Sequence, residues 1–206
     1  MSRTRRSATL AALALAPLLL VGCTHAAAPT TTTAPAATEA TTSATPFQIM
    51  CTPVVGDPSP KPCTQAEYDK LRQQKMDYAD AEKVYRAFFD ENVKLEKAGG
   101  LPTPDVKLLL AGPMVDQYPK DLQPGHDLGI TWIGDIKLGY VRPSDAELYP
   151  NSEIALSTCT DASGAIAHSL GKERGPGEIL KITVFLKKVD GQFKIWWRSG
   201  QVAESC

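Results

Sequence analysis

Apolar residues recur every three or four positions after Thr64, a spacing that predicts one long amphipathic helix. Thr64 and Glu67 form a capping box at its start and Gly99–Gly100 end it, so we expect about 30 residues. Residues 70–75 are polar, which predicts a loosely packed first part. The apolar stripe comprises Tyr68, Leu71, Tyr78, Ala81, Val84, Tyr85, Phe88 and Phe89.

Two shorter helices are predicted next. Thr103 is a cap residue followed by Pro104 in the first turn, which predicts a helix through Leu110. Pro113 starts another helix, and its core-facing residues are expected to be Met114, Val115 and Tyr118.

After Pro124–Gly125 apolar and polar residues alternate, which is the pattern of half-buried strands. The first predicted strand has on its core side Ile130, Trp132, Ile136, Leu138 and Tyr140. A second strand places Leu156 on one face and Cys159 on the other, and Asp161 is expected at its end.

Asp190–Gly191 lies between two apolar runs and predicts a hairpin over residues 180–197. The expected core-side pairs are Leu186 with Ile195, Val184 with Trp197 and Lys188 with Phe193. The expected outer-side pairs are Phe185 with Trp196, Lys187 with Lys194 and Thr183 with Arg198. Phe185 and Trp196 would then form an exposed aromatic pair, predicted to be a homodimer interface unless a loop or the first part of the helix covers it.

These elements together predict an α+β fold class, with a long N-terminal helix plus short helices packed on a curved antiparallel sheet. We assign this domain to residues 64–206. Residues 48–63 form a proline-rich loop, because so much proline disfavours a helix or a central strand.

The N-terminal region is predicted to be an export signal and a tether. Arginines precede an apolar run that is shorter than the roughly 20 residues a bilayer requires. The run ends in Leu20-Val21-Gly22-Cys23, which is similar to a bacterial lipobox. Residues 1–22 are therefore predicted to be a lipoprotein signal peptide, and Cys23 the lipid-attachment residue. An ordinary secretory signal with a cysteine at its cleavage site is the alternative.

Residues 24–46 consist almost wholly of Ala, Thr, Pro and Ser, so residues 23–47 are predicted to be a disordered tether. The lipid on Cys23 would then hold the folded domain at the extracytoplasmic face of the cell membrane. Without the signal the chain has 19 basic and 23 acidic side chains, a net charge of −4 that does not favour a nucleic-acid partner.

The chain has five cysteines, and lipidation of Cys23 leaves four that an oxidising compartment would pair. Cys51 and Cys63 bracket the proline-rich loop, so a local bridge is expected, and Cys159 then pairs with Cys206. Loop-closure entropy gives the longer bridge about 4 kcal/mol and the shorter about 3 kcal/mol. The cysteines and histidines are too scattered to favour a metal site, and no cofactor is predicted.

Three short segments carry a resemblance to a known family. They are Cys159-Thr160-Asp161-Ala162-Ser163, Val189-Asp190-Gly191-Gln192-Phe193 and the closing residues 197–206. With the predicted elements, they resemble the nuclear-transport-factor-2-like superfamily, the cone-shaped fold of ketosteroid isomerases and polyketide cyclases. The chain also looks like the small exported lipoproteins of high-GC Gram-positive bacteria that carry such a domain. The resemblance covers residues 64–206 and implies a pocket between the helices and the concave face of the sheet.

That pocket is expected to be lined by Tyr85, Phe88, Trp132, Tyr140, Leu156, Ile182, Val184 and Trp197. No catalytic constellation is predicted. Asp135 should point away from the core, Asp161 should start a turn, and His126 and His168 are expected in surface loops. We therefore predict a binding or scaffolding module for a small apolar ligand or a protein partner. The alternative is a small exported enzyme of isomerase, cyclase or dehydratase type, which requires a titratable group facing the pocket.

Overall fold

The long helix, α1 (Gln65–Ala98), has 34 residues, and both of its predicted ends are confirmed. In the computed structural model, which describes residues 47–206, Thr64 Oγ1 accepts the Glu67 N–H at 3.3 Å and the Glu67 carboxylate accepts the Thr64 N–H at 2.7 Å. Gly99 ends the helix with φ of 64°, where a Cβ would also lie 2.6 Å from the Ile130 carbonyl oxygen. Glycine is therefore required here by both its dihedral angle and its close neighbour.

Predictions for residues 1–46, which include lipid attachment at Cys23 and nearly all of the tether, lie outside the described residues. The proline-rich loop is described. Its two ends form a short ladder in which β1 (Met50–Cys51) pairs antiparallel with β2 (Lys61–Pro62). The predicted disulfide between Cys51 and Cys63 closes this loop, with Cα atoms 5.8 Å apart.

Two short helices follow, α2 (Pro104–Leu108) and α3 (Pro113–Asp127). The strand pattern was expected to begin after Pro124–Gly125, but α3 continues through both residues to Asp127. Pro124 is tolerated because it removes only one backbone N–H donor from the last turns of the helix. The prediction that Val115 faces the core is wrong, since its side chain is 43% exposed while Met114 and Tyr118 are buried. Successive helical residues point about 100° apart. Because α3 buries only one narrow face, Val115 does not share that face with its neighbour Met114.

The predicted α+β class is confirmed, because the helices pack on one antiparallel sheet. Its strands are β3 (Ile130–Pro143), β4 (Ile154–Ser169), β5 (Lys172–Pro176), β6 (Ile179–Val189) and β7 (Gln192–Ala203). The strand order is β3-β4-β6-β7, and β5 pairs with the second half of β4. β4 is longer than predicted, so Asp161 and His168 lie inside a strand. Asp161 accepts the Ser163 N–H at 2.9 Å, but this local bond does not end the strand because β3 pairs with β4 on both sides of it.

The main core lies between α1, the two short helices and the facing side of the sheet. Its fully buried members include Val106, Met114, Tyr118, Leu156, Val184, Leu186 and Ile195. The first buried residue of α1 is Tyr78, and Tyr68 is 43% exposed, in agreement with a loosely packed first part. Lys188 holds this part to the hairpin, because its ammonium donates to Asp77 at 2.7 Å.

The predicted hairpin register is wrong beyond its first pairs. Leu186 pairs with Ile195 as expected, but Phe185 pairs with Trp197, which leaves Trp196 as an extra residue in a β-bulge. Because side chains alternate along a strand, one extra residue moves every later side chain to the opposite face. Arg198 therefore pairs with Val184 rather than Thr183 and points to the helix side of the sheet.

The second predicted disulfide joins Cys159 in β4 to Cys206, with Cα atoms 5.6 Å apart. Cys159 is fully buried on the outer face of the sheet. Gly139 makes room for the bridge, since a Cβ there would lie 2.7 Å from Cys206 Sγ. The chain end is thus fastened across the middle of the sheet.

Candidate functional site

A cleft of about 720 Å³ opens between the second half of α1, α3 and the helix side of the sheet. Its apolar wall is formed by Tyr85, Phe88, Phe89, Leu95, Leu122, Ile130, Trp132, Ile136, Leu180 and Ile182. Its charged and amide side chains are Asn92, Glu96, Asp121, His126, Glu178 and Arg198. This volume lies within the roughly 300–1,000 Å³ that is typical of small-molecule sites.

The structure places four of the predicted pocket residues on the cleft wall: Tyr85, Phe88, Trp132 and Ile182. The other four lie elsewhere, which corrects the prediction. Leu156 and Val184 are 1% and 0% exposed and belong to the packed core. Tyr140 and Trp197 lie on the opposite face of the sheet, Tyr140 paired with Cys159 and Trp197 displaced there by the bulge.

The predicted exposed pair, Phe185 and Trp196, is not formed. Phe185 is 7% exposed, because Tyr149 from the β3–β4 loop lies 6.0 Å from its ring and stacks on Trp197 at 5.0 Å. Trp196 packs against Gly112 and donates its indole N–H to the Pro150 carbonyl at 3.0 Å. A loop covers this face, as the alternative expectation allowed, so the surface on which a homodimer was predicted is occupied by the chain itself.

Arg198 brings a cation to the cleft. Its guanidinium lies over the rings of Tyr118 and Phe88, with centroid distances of 5.0 and 5.8 Å. Its Nη2 is 3.8 Å from Asp121 Oδ2, an ion pair too long for a hydrogen bond. The aromatic rings hold the guanidinium in place through cation–π attraction while its N–H groups remain accessible.

Glu96 places a carboxyl group on the α1 wall of the same cleft. Asn92 donates to its Oε1 at 2.7 Å, and the Asn92 carbonyl in turn accepts the Tyr118 hydroxyl. Burial raises the pKa of the Glu96 carboxyl above its ordinary value, while the Asn92 hydrogen bond and the charge of Arg198 act in the opposite direction. Glu96 is therefore a half-buried carboxyl group whose proton is held more strongly than in water.

Burial also raises the pKa of the hydroxyls of Tyr85, on the cleft wall, and of the fully buried Tyr118, so both hydroxyls remain neutral. Tyr85 Oη lies 3.0 Å from the hydroxyl of Thr158, which donates to the Ile182 carbonyl at 3.1 Å. This network joins α1 to the central strands beneath the cleft.

The remaining titratable candidates differ in position. His126 is in the last turn of α3 rather than in a loop, and its Nδ1 lies 2.9 Å from the Gly99 carbonyl at the cleft edge. His168 is half-buried in β4 because that strand is longer than expected. Asp135 is exposed on β3 and points away from the core as predicted. Asp161 forms the predicted local bond to Ser163.

Within residues 47–206, no group of three or more His, Cys, Asp or Glu side chains is arranged to hold a metal ion. The helices in this part of the chain include none that is long and apolar enough to cross a membrane.

The charged residues of the cleft were missed by sequence analysis. For Glu96 a signal was present, since Phe88, Asn92 and Glu96 are four residues apart and continue the buried stripe of α1 with polar side chains. For Arg198 there was none, because the bulge that turns it inward depends on the packing of Trp196.

Fold and cleft together define the class of protein: an α+β domain with an open, mainly apolar cleft that also carries charged groups, between its helices and one face of an antiparallel sheet. No known protein family and no curated protein matches the chain. Among solved structures it is similar to the crystal structure of the intermembrane space region of the chloroplast protein ARC6, with a TM-score of 0.38 and 13% sequence identity. The match covers 60% of this chain and 98% of that one, and a similarity of this size identifies no function.

Proposed function

We propose that this chain is a lipoprotein, exported by residues 1–22 and anchored through Cys23 to the extracytoplasmic face of the cell membrane. The pairing of the other four cysteines supports this, because the two disulfides use every cysteine of the sequence except Cys23. Two disulfides are also typical of proteins outside the cytoplasm. On this proposal the domain is of the nuclear-transport-factor-2-like type and stands on a tether of residues 23–47.

Lipid attachment is tested by expressing the full chain in a bacterium that is fed labelled palmitate. We expect label in the membrane-associated wild type and none in Cys23→Ala. Cys206→Ala is the matched control, since it removes a cysteine outside the lipobox and should leave labelling unchanged. Equal labelling of wild type and Cys23→Ala would contradict the anchor.

The folded domain is proposed to be a binding module for a small ligand with a large apolar part. The observation that carries this is the cleft, whose wall is largely aromatic and aliphatic and whose volume suits a small molecule. The sequence analysis predicted a small apolar ligand, but the cleft also carries charged side chains, among them Glu96 and Arg198. The proposed ligand has an apolar body and at least one polar group.

Binding is tested by the melting temperature of the full chain in the presence of a panel of fatty alcohols and steroid-like compounds. A ligand at 100 times its Kd adds about 2.7 kcal/mol to the free energy of unfolding, which is readily measured. Leu122→Lys should abolish the shift by placing a charge on the apolar wall, whereas Leu108→Lys on the exposed side of α2 should keep it. If no compound raises the melting temperature, the proposal that the domain is a binding module is wrong.

Glu96 favours a second candidate, a small enzyme of isomerase, cyclase or dehydratase type. Such an enzyme needs a titratable group that faces its pocket, and Glu96 lines the cleft with a carboxyl group whose pKa is raised above its ordinary value by burial, the direction that suits a general acid. Any activity found with a ligand of the cleft should be lost in Glu96→Gln while ligand affinity is retained. Unchanged turnover in this variant would exclude Glu96 as the catalytic group, and the binding module would then be the only proposal that the cleft supports.

A further inference from the structure

Arg198 carries five N–H donors, and no hydrogen bond joins them to another residue in the range 47–206. These donors are open to solvent, because this range holds no buried side-chain nitrogen without a partner. Its one ionic neighbour, Asp121, is 3.8 Å away, beyond hydrogen-bond distance. The side chain is only 25% exposed. A half-buried guanidinium with free donors is a ready site for an acceptor that comes from outside the protein.

The position of Arg198 in the cleft is favourable for such an acceptor. The cation–π contacts with Phe88 and Tyr118 hold the guanidinium against the wall, so little side-chain entropy is lost when a ligand binds. The fork of N–H groups matches the two oxygens of a carboxylate or phosphate group. Trp132, Leu122 and Ile182 continue the cleft with apolar surface beyond the charged group.

The acidic groups of the cleft do not remove this attraction. Asp121 lies at the exposed edge, with its side chain 37% exposed, and Glu178 is also exposed, so water screens both charges. Glu96 accepts a hydrogen bond from Asn92 and forms no ion pair with another described residue. The Asn92 amide compensates part of the charge of the Glu96 carboxyl and burial raises the pKa of this group, and both effects weaken its repulsion of an anionic head group.

We propose that the cleft binds an amphiphile with an anionic head group, and that Arg198 binds this head group while the apolar body lies along Trp132, Leu122 and Ile182. The inference rests on the proposed binding module and adds the charge of the ligand and the residue that selects it. Carboxylate and phosphate heads share the required chemistry, and the experiment separates them.

The test uses the full chain and four compounds with the same twelve-carbon body: laurate, dodecyl phosphate, dodecanol and dodecylamine, each below its micelle concentration or solubility limit. The readouts are the melting temperature and the quenching of Trp132 fluorescence, with Trp132→Phe as the reference. We expect one or both anions to bind at least about tenfold more tightly than dodecanol, the factor that a charge-assisted hydrogen bond provides. Laurate against dodecyl phosphate then tells which head group is preferred.

Arg198→Gln should remove the preference for the anion, so that the anions and dodecanol bind with similar affinity. Arg142→Gln is the matched control, because Arg142 also lies over a tyrosine ring, that of Tyr140, at 4.4 Å but on the far face of the sheet. This control should keep the preference. If Arg198→Gln does not fold, the four compounds on the wild-type chain still decide the question.

The outcomes are distinct. Equal affinity for laurate, dodecyl phosphate and dodecanol would overturn the role of Arg198 and keep the binding module. Tightest binding of dodecylamine would overturn it in favour of Glu96 as the head-group site. Failure of all four compounds to bind would overturn this inference, and the binding module itself would then depend on the wider panel described above.

Discussion

Glu96 and Arg198 place an acidic and a basic group on two walls of one cleft, and their environments differ. The guanidinium is held by aromatic rings and keeps its charge, because arginine does not deprotonate in proteins. Burial disfavours the charged form of the Glu96 carboxyl. Two residues that are unremarkable in sequence thus acquire separate chemical properties from their surroundings.

Replacement of Glu96 by Gln should weaken the dependence of stability on pH. The pKa of Glu96 is raised above its ordinary 4.5, so the folded chain holds this proton to a higher pH than the unfolded chain. Its contribution to stability is complete below that ordinary pKa and is lost as pH rises through the folded-state pKa. Urea unfolding between about pH 4 and 8 should therefore show the variant gaining on the wild type as pH rises. Exposed Glu147→Gln is the control, and a variant-to-wild-type difference that is constant with pH would contradict the burial argument.

Leu156→Ala should lower the free energy of unfolding by about 2–5 kcal/mol, the usual cost of a cavity in a packed core. Leu156 is 1% exposed and lies in the core rather than on the cleft wall. Leu108→Ala removes the same atoms from a side chain that is 67% exposed and should change stability by less than about 0.5 kcal/mol. Equal urea midpoints for the two variants would be inconsistent with this core.

Elements in this domain are ended and bent by single residues. α1 ends at Gly99, and the side chains of β7 beyond Trp196 point to the opposite face of the sheet from the one that strict alternation predicts. The first is readable from sequence, because glycine is the residue that adopts a left-handed dihedral freely. The second is not, because the extra residue is accommodated by Gly112 and by the Pro150 carbonyl, which are distant in the chain.

A pair of glycine substitutions tests the end of α1. Gly99→Ala should destabilise the fold by more than about 1 kcal/mol, because alanine disfavours φ of 64° and its Cβ would meet the Ile130 carbonyl. Gly125→Ala within α3 meets no atom within 4 Å and should stabilise by about 0.5–1 kcal/mol. Thermal unfolding measures both, and the same sign for the two variants would disprove the explanation.

At the scale of the whole molecule, the two disulfides fasten different parts. The one between Cys51 and Cys63 closes a loop of sequence separation 12 at the start of the domain, and the one between Cys159 and Cys206 spans a separation of 47 and holds the chain end to the sheet. Both would form after export, and the lipid anchor proposed at Cys23 would use the remaining cysteine.

Removal of the longer bridge should cost more. The double variant Cys159→Ala/Cys206→Ala is expected to lose about 4 kcal/mol of stability and Cys51→Ala/Cys63→Ala about 3 kcal/mol, since a longer loop restricts the unfolded chain more. Guanidinium unfolding of each double variant against the wild type measures the difference. A clearly larger loss for the shorter bridge would show that native packing outweighs loop entropy.

The sequence by itself determined the features that depend on neighbouring residues and on counting. The capping box and Gly99 bound α1, the alternation of residues predicted strands, and the cysteine positions predicted both pairs. It also carries the lipobox-like string at Cys23, whose role is a matter of proposal. The ends of α1 and the strands follow from local rules of backbone conformation, and the disulfides follow from the small number of ways in which four cysteines can pair.

Only the tertiary structure decided which side chains share the cleft. From the alternation alone, Arg198 was placed on the outer face opposite Thr183 and Trp197 in the core, and one bulged residue reversed both. Strand periodicity is two, so a single insertion inverts everything beyond it, and whether an insertion occurs is settled by contacts between residues far apart in the chain. Arg198 faces the cleft, and so shares it with Glu96 of α1, for that reason.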